Sequence, residues 1–150
     1  MKRSQELIAL THEHHHALVL ARRAIVAARD ASAARALAAE LTEIFLRELE
    51  PHFILEEQKL LPALRGAGES ARAARTLDEH WQLRALAKAG AAGETASLLS
   101  FGLLLEAHVR FEERELFPLA EAILPANVLA AVAAGVVANP RQHKPTSTGV

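Results

Sequence analysis

One eleven-residue pattern is written twice in this chain, and it constrains the fold more than any other feature. His52-Phe53-Ile54-Leu55-Glu56-Glu57-Gln58-Lys59-Leu60-Leu61-Pro62 and His108-Val109-Arg110-Phe111-Glu112-Glu113-Arg114-Glu115-Leu116-Phe117-Pro118 both read His-x-x-x-Glu-Glu-x-x-Leu-(Leu/Phe)-Pro. Residues four apart share one face of an α-helix, with Cβ atoms about 5–6 Å apart. His52 therefore sides with Glu56, and His108 with Glu112. A neutral imidazole and a carboxylate on one face can grip a hard or borderline metal ion. Two such helices facing each other could hold two ions.

The rest of the chain supplies the other helices. Apolar residues three and four apart predict a first helix over about 4–29, capped by Ser4, with an inward stripe of Leu7, Leu10, His14, Ala17 or Leu18, Ala21, Ile25 and Ala28. After the turn Asp30-Ala31-Ser32, a second helix runs to about Arg65 on the stripe Leu37, Leu41, Phe45, Leu49, His52, Glu56, Leu60. Pro51 falls inside it and predicts a kink or a break. A third helix, about 70–89, carries Ala73, Leu77, His80, Leu83 and Ala87. A fourth, about 94–123, carries Leu98, Phe101, Leu105, His108, Glu112 and Leu116. Gly66-Ala67-Gly68 and Gly90 to Gly93 are the breaks between them. No segment alternates with period two. The expected fold is all-α, an up-and-down antiparallel four-helix bundle. A short extra helix, Asn127 to Val137, is expected to pack on one end. Residues 139–150, rich in Pro, Ser and Thr, are expected to be a disordered tail, leaving 1–138 as one domain.

Composition removes several classes of function. A net charge of −1 gives no reason to expect nucleic acid or an anionic membrane. The chain has no cysteine, which excludes disulfides, thiolate metal sites and thiol catalysis. No apolar run reaches the ~18 residues of a membrane span, and the first residues carry no signal-peptide core. A cytoplasmic location is the default expectation.

Every predicted long helix has a histidine inside its apolar stripe: His14, His52, His80 and His108. Two add a glutamate one turn later. An unpaired buried carboxylate costs several kcal/mol against a total stability of ~5–15 kcal/mol. Six polar groups in one core layer need a common partner, and two divalent or trivalent cations would satisfy all six. The plain alternative is a bundle with a polar layer and no metal. A ferritin-like carboxylate site needs Glu-x-x-His on two helices, and Glu13-x-x-His16 is the one match here.

The order His14, His52-x-x-x-Glu56, His80, His108-x-x-x-Glu112 resembles the hemerythrin-like, or HHE cation-binding, family over roughly residues 4–123. The resemblance implies a four-helix bundle holding two non-haem iron ions, oxo- or hydroxo-bridged. His52, His80, His108 and one histidine of the first helix would be terminal ligands, with Glu56 and Glu112 bridging. His14 is preferred over His15 because it lies in the stripe and follows a glutamate, as His80 does. The oxygen carriers of the family have a second histidine on the third helix, where this chain has Arg84. The fourth helix also carries Glu112 four residues after His108, where the oxygen carriers place an Asp five residues on. Four His and two Glu are closer to the di-iron proteins that repair iron–sulfur clusters, which add an N-terminal cysteine-bearing domain that is not found here.

The implied function is binding or sensing of a diatomic ligand, oxygen or nitric oxide, or storage of iron. The alternatives are an enzyme acting on peroxide or nitric oxide, an iron donor for cluster repair, and an interaction module working through the apolar segment Val128 to Val137. Glu57 and Glu113 are read as exposed charges or as acceptors for a ligand imidazole. Trp81 is read as core or rim packing, Phe45, Phe53, Phe111 and Phe117 as core, and Arg84, Arg110, His12 and His16 as solvent-facing. His143, in the tail, is read as inert.

Overall fold

The computed structural model describes residues 3–137. Four antiparallel rods form the bundle. The first is α1 (Gln5–Ala27), and the third is α5 (Ser70–Ala91). The second is α2 (Ala31–Ile44), α3 (Glu50–Leu55) and α4 (Leu61–Gly66), joined without interruption by π-helical turns at Phe45–Leu49 and Glu56–Leu60. The fourth is α6 (Thr95–Phe111) and α7 (Phe117–Ile123), joined by a π turn at Glu112–Leu116. A fifth helix, α8 (Ala126–Val137), follows. Among the described residues there is no strand, and no helix is long and apolar enough to cross a membrane.

The rods form where the stripes place them. All seven stripe residues of the second rod and all six of the fourth are buried. On α1 the stripe resolves to Ala17 rather than Leu18, then runs through Leu20, Ala21, Ala24 and Ala27. Gly68 and Gly93, with φ of +91° and +103°, provide the left-handed residues at the two turns flanking α5. Asp30 caps α2 by accepting a hydrogen bond from the Ala33 amide at 3.0 Å. Ser4 precedes α1 as expected, but its side chain makes no capping bond. Its amide instead donates to Glu121 at 2.8 Å.

Pro51 neither breaks nor ends the second rod. A proline inside an α-helix lacks the amide donor and pushes against the carbonyl four residues back. Each of the three π turns ends two residues before a proline: Leu49 before Pro51, Leu60 before Pro62, Leu116 before Pro118. The residue just before each proline donates to the carbonyl five back, Glu50 to Phe45, Leu61 to Glu56 and Phe117 to Glu112. The widened turn absorbs the ring and the helix continues.

Two apolar clusters fill the bundle, one with Leu37, Leu41, Phe101 and Leu105, the other with Leu7, Leu10, Leu60, Leu61 and Phe117. The expectation that the fifth helix sits on one end needs correction. It lies beside α1 and the second rod, with Leu129, Val132 and Val136 buried in the second cluster and Gly135 against Leu55. The tail expected over 139–150 lies outside the described residues, as does His143.

Candidate metal centre

The six residues expected from sequence converge between the two clusters. His14, His52, Glu56, His80, His108 and Glu112 are each at most 4% exposed. His14 is the inward member of its run, while His12, His15 and His16 face solvent. Helical spacing explains the pairing. His52 and Glu56 stand one turn apart on the second rod, with Nε2 and Oε1 at 2.8 Å. His108 Nε2 meets Glu112 Oε1 in the same way on the fourth. The other two contacts cross between rods, His80 Nε2 to Glu56 Oε2 at 3.1 Å and His14 Nε2 to Glu112 Oε2 at 3.3 Å.

These contacts divide the atoms into two sets. His14, His52, Glu56 and Glu112 can supply atoms all within 4.8 Å of one another, and so can His80, His108, Glu56 and Glu112. Each glutamate turns one oxygen to each set. The result is two positions, each with two imidazole nitrogens and two carboxylate oxygens, bridged twice.

The opposite nitrogen of every imidazole is held by a second carboxylate. His14 Nδ1–H donates to Glu113 at 2.6 Å, and His52 to Glu13 at 2.5 Å. His80 donates to Glu57 at 3.0 Å and His108 to Glu79 at 3.0 Å. Each acceptor comes from the preceding rod, and the fourth rod closes the circle onto the first. Such a bond fixes the tautomer, leaving the Nε2 lone pair pointing inward. The sequence reading anticipated Glu57 and Glu113 as acceptors. It missed Glu13 and Glu79, although the repeated Glu-His doublet was the available signal. Arg84 is a correction. It is mostly covered, bonded to Glu57 at 2.7 Å and to both Glu50 oxygens at 3.0 Å. Trp81 is another, at 62% exposed, because one residue beyond His80 a helix has turned by about 100°. Arg110 is exposed, and Phe45, Phe53, Phe111 and Phe117 are buried, as expected.

The residues fit a pair of cations. All four Nε2 atoms and all four oxygens of Glu56 and Glu112 are buried without a hydrogen bond. Lone pairs facing one another at 2.8–3.3 Å repel unless positive charge lies between them. Ligand atoms at right angles on a cation with bonds of about 2.1 Å lie about 3 Å apart, which matches. Without metal, protons play that part. Burial alone would lower the His108 pKa, but the Glu112 carboxylate facing Nε2 and the Glu79 carboxylate on Nδ1 push it up to about 10. His14, His52 and His80 are raised by their carboxylates in the same way, against the opposing effect of burial. Burial would raise Glu57 and Glu113, yet hydrogen bonds led by His80 and His14 hold both down to about 2.

A small cavity of about 10 Å³ adjoins His14, His52 and His108. Ala17, Leu49, Phe53, Leu105 and Val109 form its apolar walls, and Glu13 and Glu48 its polar ones. That volume admits about one water-sized molecule.

A family model described as the hemerythrin HHE cation binding domain matches residues 5–120. No curated protein and no solved structure matches the chain significantly.

Proposed function

The chain belongs to the hemerythrin HHE cation-binding family, and from that premise we propose that it is a non-haem di-iron protein that binds or senses a diatomic ligand, oxygen or nitric oxide. The observation that carries the reading is the eight inward nitrogen and oxygen atoms left without hydrogen bonds. Four donor atoms per position suit iron, which accepts imidazole and carboxylate together and keeps coordination positions free. Bound there, iron would supply reversible electron donation to a diatomic molecule.

The chain's own residues would supply the remainder. Glu56 and Glu112 would each offer one carboxylate oxygen to either ion. Glu13, Glu57, Glu79 and Glu113 hold the imidazoles in register. The cavity beside His14, His52 and His108 has room for one very small guest, and its walls are largely apolar. The carboxylates of Glu13 and Glu48 in the same cavity favour a second reading, an enzyme acting on peroxide or nitric oxide, since they could deliver protons to a guest.

Elemental analysis of iron-loaded protein, with optical spectra under oxygen and under nitric oxide, tests the proposal. Two irons per chain and a band that appears with gas and fades on its removal are expected. A stoichiometry well below two would overturn it. Turnover of peroxide or nitric oxide above that of free iron, lost in Glu13→Gln, would favour the enzyme.

A further inference from the structure

The two cation positions have matching donors but unequal surroundings. Three of the four carboxylates that hold the imidazoles are themselves paired with an arginine. Arg3 binds Glu113 at 2.9 Å, Arg75 approaches Glu79 at 3.4 Å, and Arg84 binds Glu57 at 2.7 Å. Among the described residues no arginine or lysine pairs with Glu13, whose side chain is only 15% exposed and whose carboxylate lies 2.5 Å from His52 Nδ1.

The remaining nearby charges do not remove this difference. Arg3 also binds Glu121 and Arg84 also binds Glu50, one outer carboxylate on each side. Glu48, 3.3 Å from Arg47, lines the cavity on the side of His14 and His52. The position between His80 and His108 therefore has two carboxylates and two arginines behind its imidazoles. The position between His14 and His52 has two carboxylates and one arginine.

We propose that this asymmetry ranks the two positions, and that Glu13 makes the one between His14 and His52 the tighter, filled first by a divalent cation. The inference rests on the paired-cation reading above. An ionised carboxylate behind an imidazole makes it a more basic ligand, and an arginine on that carboxylate withdraws part of the effect. Such outer partners are typically worth about 10–100-fold in metal affinity.

The test uses the full chain, freed of metal and given one equivalent of Mn²⁺, a spherical ion that does not oxidise readily. Anomalous diffraction then reads the occupancy of each position, and titration calorimetry reads two affinities about 10-fold or more apart. The stronger peak is expected between His14 and His52. Glu13→Gln keeps a hydrogen-bond acceptor while removing the charge, so it should bring the occupancies together. Arg75→Gln uncovers Glu79 on the other side and should do the same from the opposite direction, which keeps the test decisive if one variant folds poorly. Equal peaks, a stronger peak between His80 and His108, or no response to either substitution would overturn the ranking and leave the paired centre standing. No peak at either position would overturn both.

Discussion

Glu56 and Glu112 each direct both carboxylate oxygens into the protein without a hydrogen bond, a placement that costs stability unless positive charge meets it. Glu56→Ala removes one oxygen from each position at once. Bound metal is expected to fall from two ions to well under one per chain by elemental analysis, while His12→Ala, on the exposed side of the same histidine run, should leave it at two. The protonation states give a second expectation. In metal-free protein the raised histidines stabilise the fold fully below their ordinary value of 6.5, and this is lost as pH rises through about 10 for His108. Glu57 and Glu113 stabilise it above their ordinary 4.5, and this is lost as pH falls toward about 2. Thermal melts of metal-free protein should therefore peak between about pH 4.5 and 6.5. Metal displaces the imidazole protons, so the gain in melting temperature on loading should widen from pH 5.5 to pH 8. The six central residues were legible in sequence because each lies on a helical stripe. The ring of outer acceptors was only half legible: Glu57 and Glu113 stand out inside the repeated motif, whereas Glu13 and Glu79 lie outside it, and spacing along one helix does not tell which rod's histidine any of the four will meet. Arg84 was misread because position on a helix gives direction, not what a neighbouring rod presents, whereas the outward direction of Trp81 follows from its place one residue beyond His80.

The rods themselves followed the apolar periods closely, and the departures come from backbone effects that side-chain patterns do not encode. Pro51, Pro62 and Pro118 were visible, but the response of the chain to them was not. A proline can kink, end or widen a helix, and here each sits just past a π turn. Two of the three turns begin on Glu56 and Glu112, so the prolines at the end of the repeated motif help set where these two carboxylates lie. Gly102 shows the same limit at a contact between rods. In sequence it is a glycine within a helical pattern, yet a Cβ there would come within 2.7 Å of the Ala21 carbonyl and 2.8 Å of Ile25 Cγ1. Fixed backbone cannot yield as a side chain can, so α1 would have to move away from α6. Gly102→Ala should destabilise by about 1–3 kcal/mol in urea melts. Gly90→Ala, where the nearest atom is a Leu41 methyl at 3.4 Å, should be far milder and serves as the control.

At the scale of the molecule, the polar layer divides one core into two. The cluster around Leu37, Phe101 and Leu105 lies on one side, and the cluster around Leu7, Leu61 and Phe117 on the other. Only the second is covered by α8, which was foreseen as a helix but not as a side wall. An apolar segment of that length states that it must be covered and not by what. Long rods run through both clusters, so each retains its own reason to stay helical when the layer between them is disturbed. The layer is expected to set how firmly the two halves act together. With two cations in place, six side chains from four rods are tied to common points, and opening one half must break those ties. Without them the same groups are held by shared protons, which are fewer and weaker bonds. Chelation is therefore expected to leave the helical circular dichroism near its starting value at 25 °C, while the thermal transition moves down and broadens. Hydrogen exchange should then show the α8 half and the Leu37 half opening at different free energies, where the loaded protein opens as one. A single sharp transition, shifted but not broadened by chelator, would mean that apolar packing alone couples the halves and that the centre contributes affinity for metal without binding the bundle together.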